Sequence, residues 1–411
     1  MKICVLNLGC KVNQYECDSL TASLIKLGHT VSDELSVADC YLINTCAVTK
    51  EAERKSRQYI GKVLKLNPRA KVFVIGCAAE KNPEQFSMKG VTFVSGTAAK
   101  EKVLDFVGEG IHIEPLPTEY EEMAEAKNFR ARAYVKIEDG CNNFCSYCII
   151  PYLRGRVRSR KVESILEECQ NAALSTDEIV LTGINISAYG TDIGSSFAEL
   201  IAALSVVPAR IRLGSIEVGV IDEAFLQAIV SAGNVCPHFH LSLQSGSDTV
   251  LKAMNRHYTT EEFAKKVELI RSYFPQAAIT TDIIVGFPAE SEENFEETLA
   301  FARSIGLSDI HVFPYSRRSG TAAYPLGALD PAVVKSRADR LIGLKAELKR
   351  SYESLFVGRR LEVVIERSDG VFAEGHSENY IRVYVSDREQ AIGKKIIVTI
   401  QGEHADGLVA E

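Results

Sequence analysis

The sequence lacks the features of membrane, secreted and disordered proteins. It has no apolar run of the roughly 18 to 20 residues that a membrane-spanning helix needs. The start, MKICVLNLGCK, has no small-residue cleavage site after its short apolar run, so we expect a first β-strand there rather than a signal peptide. Apolar residues make up 46% and charged residues 25%, which leaves no room for an extended disordered or collagen-like region. We therefore expect a folded cytoplasmic protein without a membrane contact.

An excess of positive charge is also absent, since the net charge is −7. Nucleic-acid binding would therefore depend on a local basic patch and would weaken steeply with salt. At 411 residues the chain is long for one hydrophobic core, which predicts two or three domains.

Cysteine, by contrast, is abundant. The chain has 11 cysteines, an odd number, whereas secreted disulfide scaffolds are short and have an even number. We expect the thiols to be reduced, and grouped thiols in a reducing compartment indicate metal binding.

The spacing of apolar residues divides the chain into regions. Apolar runs at 2–8, 40–44, 71–76 and 91–96 alternate with helical patterns at 14–27, 49–66 and 98–107. Buried strands between helices predict a doubly wound parallel sheet. Strand patterns then recur at 131–138, 178–186, 210–217, 238–245, 277–288 and 309–316, each before a helical stretch. These repeats predict a partial (βα)6 TIM-like barrel whose reactive end lies at the strand carboxyl termini.

The last region alternates apolar and polar residues with a period of two between glycine-containing turns, which predicts a small antiparallel β-barrel. The fold class is thus α/β with several domains. We expect these to span 1–112, 129–357 and 358–411, with 113–128 as a linker rich in glutamate and proline.

One group of cysteines has a spacing that itself indicates chemistry. Cys141, Cys145 and Cys148 form a CxxxCxxC motif directly after the first predicted barrel strand. Three thiolates can hold three irons of a cubane cluster and leave the fourth open to a small molecule, such as S-adenosylmethionine. Zinc is the alternative, but a structural zinc site needs a fourth ligand, and no further Cys or His lies nearby in sequence.

A second group is separated in sequence but shares a position in the predicted sheet. Cys10, Cys46 and Cys77 each end an apolar strand, in NLGC, INTC and VIGC. Ligands gather outside the carboxyl ends of parallel strands, so these cysteines can converge on a second cluster with an open iron. Spacing alone cannot establish this ligation. For Cys4, Cys17, Cys40, Cys169 and Cys236 we expect small buried side chains instead.

Several polar residues near predicted strand ends are candidates for binding. Arg154, Arg156, Arg158 and Arg160 alternate in RGRVRSRK and, if extended, form one basic edge for phosphate oxygens; a solvated charged face is the alternative. Arg317 and Arg318 are similar candidates at the barrel mouth. Gly183, Glu217, Gln244 and Asp282 are candidates for S-adenosylmethionine contacts, with turn or structural roles as the alternative. His238 and His240 share a strand face, and we expect core histidines there.

Sequence blocks along nearly the whole chain resemble the tRNA methylthiotransferases of the radical S-adenosylmethionine superfamily. The blocks are GCKVNQYE, NTC, GCNNFCSYCIIPYLRGRVRSR, LTGINISAYG, HLSLQSGSDTVLKAMNRHYT, TTDIIVGFPAE and FPYSRRSGTAA. The final β region is similar to the RNA-binding TRAM domain of that family, although its ten acidic and seven basic residues do not themselves indicate RNA binding.

The resemblance implies two 4Fe-4S clusters and S-adenosylmethionine as cofactors. One S-adenosylmethionine would methylate a sulfur at the first cluster, and a second would give a radical that activates carbon 2 of an adenosine beside the anticodon. The implied partners are the tRNA anticodon stem-loop and a low-potential donor such as flavodoxin or ferredoxin, while the sulfur donor is unknown.

The substrate is judged from few residues. Lys11 and Val12 resemble the branch that acts on N(6)-L-threonylcarbamoyladenosine. The alternatives are an isopentenyladenosine enzyme, an enzyme acting on ribosomal protein S12, or an iron-sulfur RNA-binding protein without turnover.

Overall fold

The first region folds as the predicted parallel sheet. The computed structural model describes residues 1–105, 108–126, 130–386 and 392–411. The sheet has the order β2-β1-β3-β4-β5-β6. Its strands are β1 (Lys2–Asn7), β2 (Thr30–Ser32), β3 (Cys40–Thr45), β4 (Lys71–Gly76), β5 (Phe93–Ser95) and β6 (Gly110–His112). Alternate strand residues enter two separate apolar clusters, so both faces of the sheet are covered. Sequence analysis missed β2 and β6, which have three residues each and lie at the sheet edges.

The central region is a partial barrel made of two parallel sheets. One has the order β11-β10-β7 and the other β12-β13-β14-β15. The strands are β7 (Ala133–Lys136), β10 (Glu178–Thr182), β11 (Arg210–Leu213), β12 (Ser215–Ile216), β13 (His238–Gln244), β14 (Ala278–Val285) and β15 (Asp309–Pro314), and a separate hairpin pairs β8 (Glu138–Asp139) with β9 (Arg158–Ser159). The predicted third strand is interrupted at Gly214, whose N–H bonds to the Leu181 carbonyl at 2.9 Å. That interruption divides the barrel wall between the two sheets.

The last region is a closed barrel with the order β16-β17-β18-β20-β19. Its strands are β16 (Arg360–Ser368), β17 (Phe372–Ser377), β18 (Arg382–Ser386), β19 (Lys395–His404) and β20 (Gly407–Ala410). All neighbours are antiparallel except β18 and β20, which run parallel. This barrel contacts the amino-terminal ends of the central strands, where Arg210 and Arg212 donate to carbonyl oxygens of His376 and Ser377 at 2.7 and 2.9 Å.

The helices connect the strands in the expected alternation. They are α1 (Lys11–Lys26), α2 (Lys50–Leu66), α3 (Cys77–Lys81), α4 (Pro83–Phe86), α5 (Ile150–Arg154), α6 (Val162–Ala172), α7 (Phe197–Ala203), α8 (Glu223–Ala232), α9 (Asp248–Ala253), α10 (Thr260–Tyr273), α11 (Glu292–Ser304) and α12 (Pro331–Ser354). The helix predicted at 98–107 is a 3-10 helix over Lys100–Asp105, and its last two predicted residues lie outside the described residues. The expected domain boundary between residues 128 and 129 also lies outside them. Among the described helices, none has the length and apolar character to cross a bilayer.

Candidate iron-sulfur centres

The CxxxCxxC loop follows β8 and is fixed by backbone hydrogen bonds. The Cys141 N–H donates to the Gly155 carbonyl at 3.1 Å, and the Cys148 N–H donates to the Cys145 carbonyl at 2.9 Å. Gly140, with φ of 89°, turns the chain into the loop. Burial raises the pKa of Cys141 to about 11 and of Cys148 to about 12, and the neighbouring cysteine sulfurs add to both shifts. The three thiols therefore lie close enough to interact electrostatically.

Cys10, Cys46 and Cys77 lie at one edge of the first sheet. Cys10 follows β1 at the start of α1, Cys46 follows β3, and Cys77 starts α3 directly after β4. The strand register pairs Thr45 with Gly76, which puts the last two cysteines beside each other. Burial raises the pKa of Cys46 to about 12, with Cys77 and Cys10 as further causes. The topology thus brings together three thiols that are far apart in sequence, while their ligation remains a prediction.

Each group of cysteines offers three thiols, enough for three corners of a cubane cluster with the fourth iron open. A structural zinc site takes four protein ligands, one more than the three cysteines of either group. Among the described residues, the single set of three donors whose atoms all lie within 4.8 Å of one another is His240, Asp282 and His311.

The five remaining cysteines confirm the prediction of small buried side chains. Cys4, Cys17, Cys40, Cys169 and Cys236 are all buried, and the first four belong to apolar clusters.

The predicted basic edge of alternating arginines is wrong. Arg154 is the last residue of helix α5, and Arg154, Arg158 and Arg160 are 1%, 4% and 4% exposed. Their guanidinium groups are used internally, with Arg160 paired to Glu168 and Arg158 donating to the Arg154 and Arg156 carbonyls, both at 2.7 Å. Phosphate contact requires accessible guanidinium groups, which these residues do not provide.

The prediction that Arg318 binds phosphate is wrong as well, since its side chain is 2% exposed and paired with Glu53 from α2. Arg156 is exposed and lies over the Phe144 ring at 4.4 Å, whereas Arg317 is half-buried and stacks on Tyr324 at 4.2 Å. Of the predicted phosphate-binding arginines, these two keep access to solvent.

Glu217, one of the candidates for S-adenosylmethionine contacts, lies beside the second group of cysteines. Glu217 pairs with Arg256, whose Nη1 donates to the Cys145 sulfur at 3.3 Å. A cavity of about 250 Å³ lies here, lined by Glu217, Arg256 and Asn143 among others. Gly183 packs so closely against Glu138 and Ile186 that a side chain would collide with both. Arg256 and Glu138 were missed by sequence reasoning as individual residues, although Arg256 lies within the block MNRHYT.

Gln244 and Asp282 lie on neighbouring barrel strands. Gln244 ends β13 with φ of 69°, a left-handed conformation that is uncommon outside glycine. Asp282 accepts from His240 and His311 at 3.1 and 3.2 Å; although burial opposes it, these imidazoles hold the pKa of Asp282 well below its usual range. His238 and His240 are buried, as expected of core histidines, and both bond to the Thr280 hydroxyl.

Comparison with known proteins first defines the class. Residues 135–302 match the Radical SAM superfamily, and residues 2–96 match a family described as Uncharacterized protein family UPF0004. The fold resembles the radical S-adenosylmethionine methyltransferase TsrM from Kitasatospora setae, with a TM-score of 0.57 and 14% identity over 79% of this chain and 77% of that one. The central barrel and its CxxxCxxC loop are therefore those of a radical S-adenosylmethionine protein.

Full-length relatives then specify the family. The chain is 38% identical to the threonylcarbamoyladenosine tRNA methylthiotransferase MtaB of Bacillus subtilis (strain 168), over 96% of this chain and 92% of that protein. It is 35% identical to the protein of the same name from Thermotoga maritima, over 98% and 95%. A tRNA-2-methylthio-N(6)-dimethylallyladenosine synthase of Desulfitobacterium hafniense is 33% identical, over 100% and 97%. The chain belongs to the tRNA methylthiotransferase family.

Proposed function

We propose that this chain adds a methylthio group to carbon 2 of N(6)-L-threonylcarbamoyladenosine, next to the anticodon of tRNA. The observation that carries this proposal is the 38% identity to an MtaB methylthiotransferase over nearly the full length of both chains. Lys11 and Val12, directly after the first cysteine, support the same branch of the family. Two groups of three thiols, each at a strand end, suit a reaction that needs both a radical and a sulfur carrier.

The cofactors are two 4Fe-4S clusters and S-adenosylmethionine. Cys10, Cys46 and Cys77 would hold the first cluster, and Cys141, Cys145 and Cys148 the second. When bound, these groups supply the radical that activates the carbon and the sulfur that is transferred. Gly183, Glu217, Gln244 and Asp282 are proposed to orient S-adenosylmethionine beside the second group of cysteines. Arg256, which contacts both Cys145 and Glu217, fixes that side of the site.

The proposed partners follow from the reaction. The tRNA anticodon stem-loop is the substrate, with phosphate contacts from Arg156 and Arg317, and a flavodoxin or ferredoxin supplies electrons in the cytoplasm.

We propose domains at 1–112, 129–357 and 358–411, supported by the end of β6 at His112, of α12 at Ser354 and the start of β16 at Arg360.

A second candidate substrate is isopentenyladenosine in tRNA, favoured by the 33% identity to the dimethylallyladenosine synthase. Reconstituted enzyme is incubated separately with tRNA carrying either modification and with ribosomal protein S12. The tRNA nucleosides, S12 peptides and 5′-deoxyadenosine are then analysed by mass spectrometry. We expect a methylthio product on threonylcarbamoyladenosine alone. Product on isopentenyladenosine alone would show that isopentenyladenosine is the substrate. Product on ribosomal protein S12 alone would remove tRNA as the substrate, and absence of 5′-deoxyadenosine would favour a protein without turnover.

A further inference from the structure

Arg154 lies where the first sheet meets the central barrel. It ends the short helix α5, six residues after Cys148, and its side chain is 1% exposed. Its Nε donates to the Cys77 sulfur at 3.2 Å. An arginine from the central region thus contacts a cysteine of the first group.

The other donors of Arg154 are used by two buried carboxylates. Its Nη1 donates to Glu16 and to Asp139 Oδ2, both at 2.9 Å. Asp139 in turn accepts from the Gly140 N–H at 2.9 Å, one residue before Cys141. One guanidinium group therefore joins the sulfur of the first group to the start of the loop that carries the second.

The charges around Arg154 do not balance without the sulfurs. Four buried cations contact or face Glu16 and Asp139, and the buried Glu138, next to Asp139 in sequence, brings the carboxyl groups to three. These cations are Arg154, Arg158, Lys100 and Lys136. A buried excess of positive charge is costly unless an anion accompanies it. Thiolates that hold an iron-sulfur cluster supply such an anion, and Arg154 is the cation in direct contact with one of them.

We propose that Arg154 is a positioning residue that donates a hydrogen bond to the Cys77 ligand and raises the reduction potential of the cluster held by Cys10, Cys46 and Cys77. Cluster potentials depend on net charge and on hydrogen bonds to the sulfurs. Reduction adds negative charge, which a nearby guanidinium stabilises, so losing the guanidinium shifts the potential to more negative values. This inference rests on the proposed function only in requiring a cluster at that group of cysteines.

The test isolates the first cluster. Cys141, Cys145 and Cys148 are replaced by alanine in the full chain, so that the remaining iron and its electron paramagnetic resonance signal report the first group alone. Arg154→Gln and Arg154→Lys are added separately, and the potential is measured by redox titration. We expect a negative shift in both, smaller with lysine because it keeps the charge.

Arg160→Gln is the matched control, because Arg160 is a buried arginine of the same segment whose guanidinium group pairs with Glu122 and Glu168. We expect it to leave the potential unchanged. Unchanged potentials in both Arg154 variants, or an equal shift in Arg160→Gln, would overturn the proposal. If Arg154→Gln fails to fold, Arg154→Lys is the deciding variant, and an unchanged potential in that variant overturns the proposal. If the variant without Cys141, Cys145 and Cys148 holds no iron, there is no cluster at Cys10, Cys46 and Cys77, and this inference is refuted with it.

Discussion

The two groups of cysteines are built in opposite ways. Cys141, Cys145 and Cys148 lie in one loop, held by hydrogen bonds within residues 141–155 and by contacts to Met254 and Arg256. Cys10, Cys46 and Cys77 come from three strand ends, and their surroundings include Arg154 from the central region of the chain. The loop takes its three cysteines from eight consecutive residues, whereas the other group takes them from three separate strand ends and needs the assembled sheet. This difference predicts distinct consequences when either site is damaged.

Replacing the cysteines of one group at a time should show that the two groups have different roles in the reaction. With Cys141, Cys145 and Cys148 changed to alanine, we expect loss of both 5′-deoxyadenosine and methylthiolated tRNA, because the radical originates there. With Cys10, Cys46 and Cys77 changed instead, 5′-deoxyadenosine should still form while the methylthio product disappears. Chromatography of the small-molecule products and mass spectrometry of tRNA measure both.

Each triple variant should retain about four irons per chain, the content of one 4Fe-4S cluster. A methylthio product from the variant without Cys10, Cys46 and Cys77 would contradict the division of roles. Cys169→Ala is the matched control, since Cys169 is buried but distant from both groups in sequence, and it should keep both products.

A glycine beside each group allows a subtler comparison. Gly140 and Gly76 have φ of 89° and 98°, and a Cβ would collide with the Arg156 carbonyl and with the Asn44 side chain, respectively. Gly140→Ala should deplete iron at the second site alone. Gly76→Ala should deplete the first, because Gly76 directly precedes Cys77. Iron analysis combined with 5′-deoxyadenosine formation distinguishes the two.

Gly61→Ala serves as the control, because Gly61 lies within α2 and nothing lies within 4 Å of an added Cβ. It should keep full iron and, as a helix-interior change, stabilise the chain by about 0.5 to 1 kcal/mol. Full iron in Gly140→Ala would show that the loop tolerates the added methyl group.

The buried charges beside Cys77 should make the stability of the folded chain depend on pH. Burial raises the pKa of Glu16, but Arg154, Lys100 and Lys136 outweigh it and lower the pKa to about 2. Glu16→Gln leaves these cations uncompensated and should cost roughly 3 kcal/mol at pH 7. The folded-state pKa lies below the unfolded value of about 4.3, so the contribution is present above that pH and is lost as the pH falls towards 2.

Urea-unfolding midpoints of cluster-free protein between pH 7 and 3 measure this effect. The difference between wild type and Glu16→Gln should narrow below about pH 4. A difference that stays constant across the range would show that Glu16 is not ionised in the folded chain. Glu51→Gln, in an exposed pair with Arg54, should leave the midpoint unchanged.

The same contrast explains what could be read from the sequence. Apolar periodicity located the main strands, because each strand is buried along its own length. The strand-end positions of Cys10, Cys46 and Cys77 followed from parallel topology. The arginine edge failed because Arg158 and Arg160 are buried and bonded within the protein, and because Arg154 ends helix α5 with its side chain buried. Its partner Glu16 lies 138 residues away in sequence, so local spacing contained no sign of the pairing.

Arg156 is a solvent-exposed arginine of the segment that also contains Arg154. Two residues after buried Arg154, it is exposed and stacked on Phe144 within the CxxxCxxC loop. Arg156→Ala should weaken tRNA binding a few-fold and lower the slope of log affinity against log salt by about 1. Fluorescence anisotropy at several salt concentrations measures both quantities. Arg303→Ala, an exposed arginine of α11 paired with Glu347, should change neither. An unchanged slope in Arg156→Ala would mean that this segment contacts only protein, on its outward side as well as its inward one.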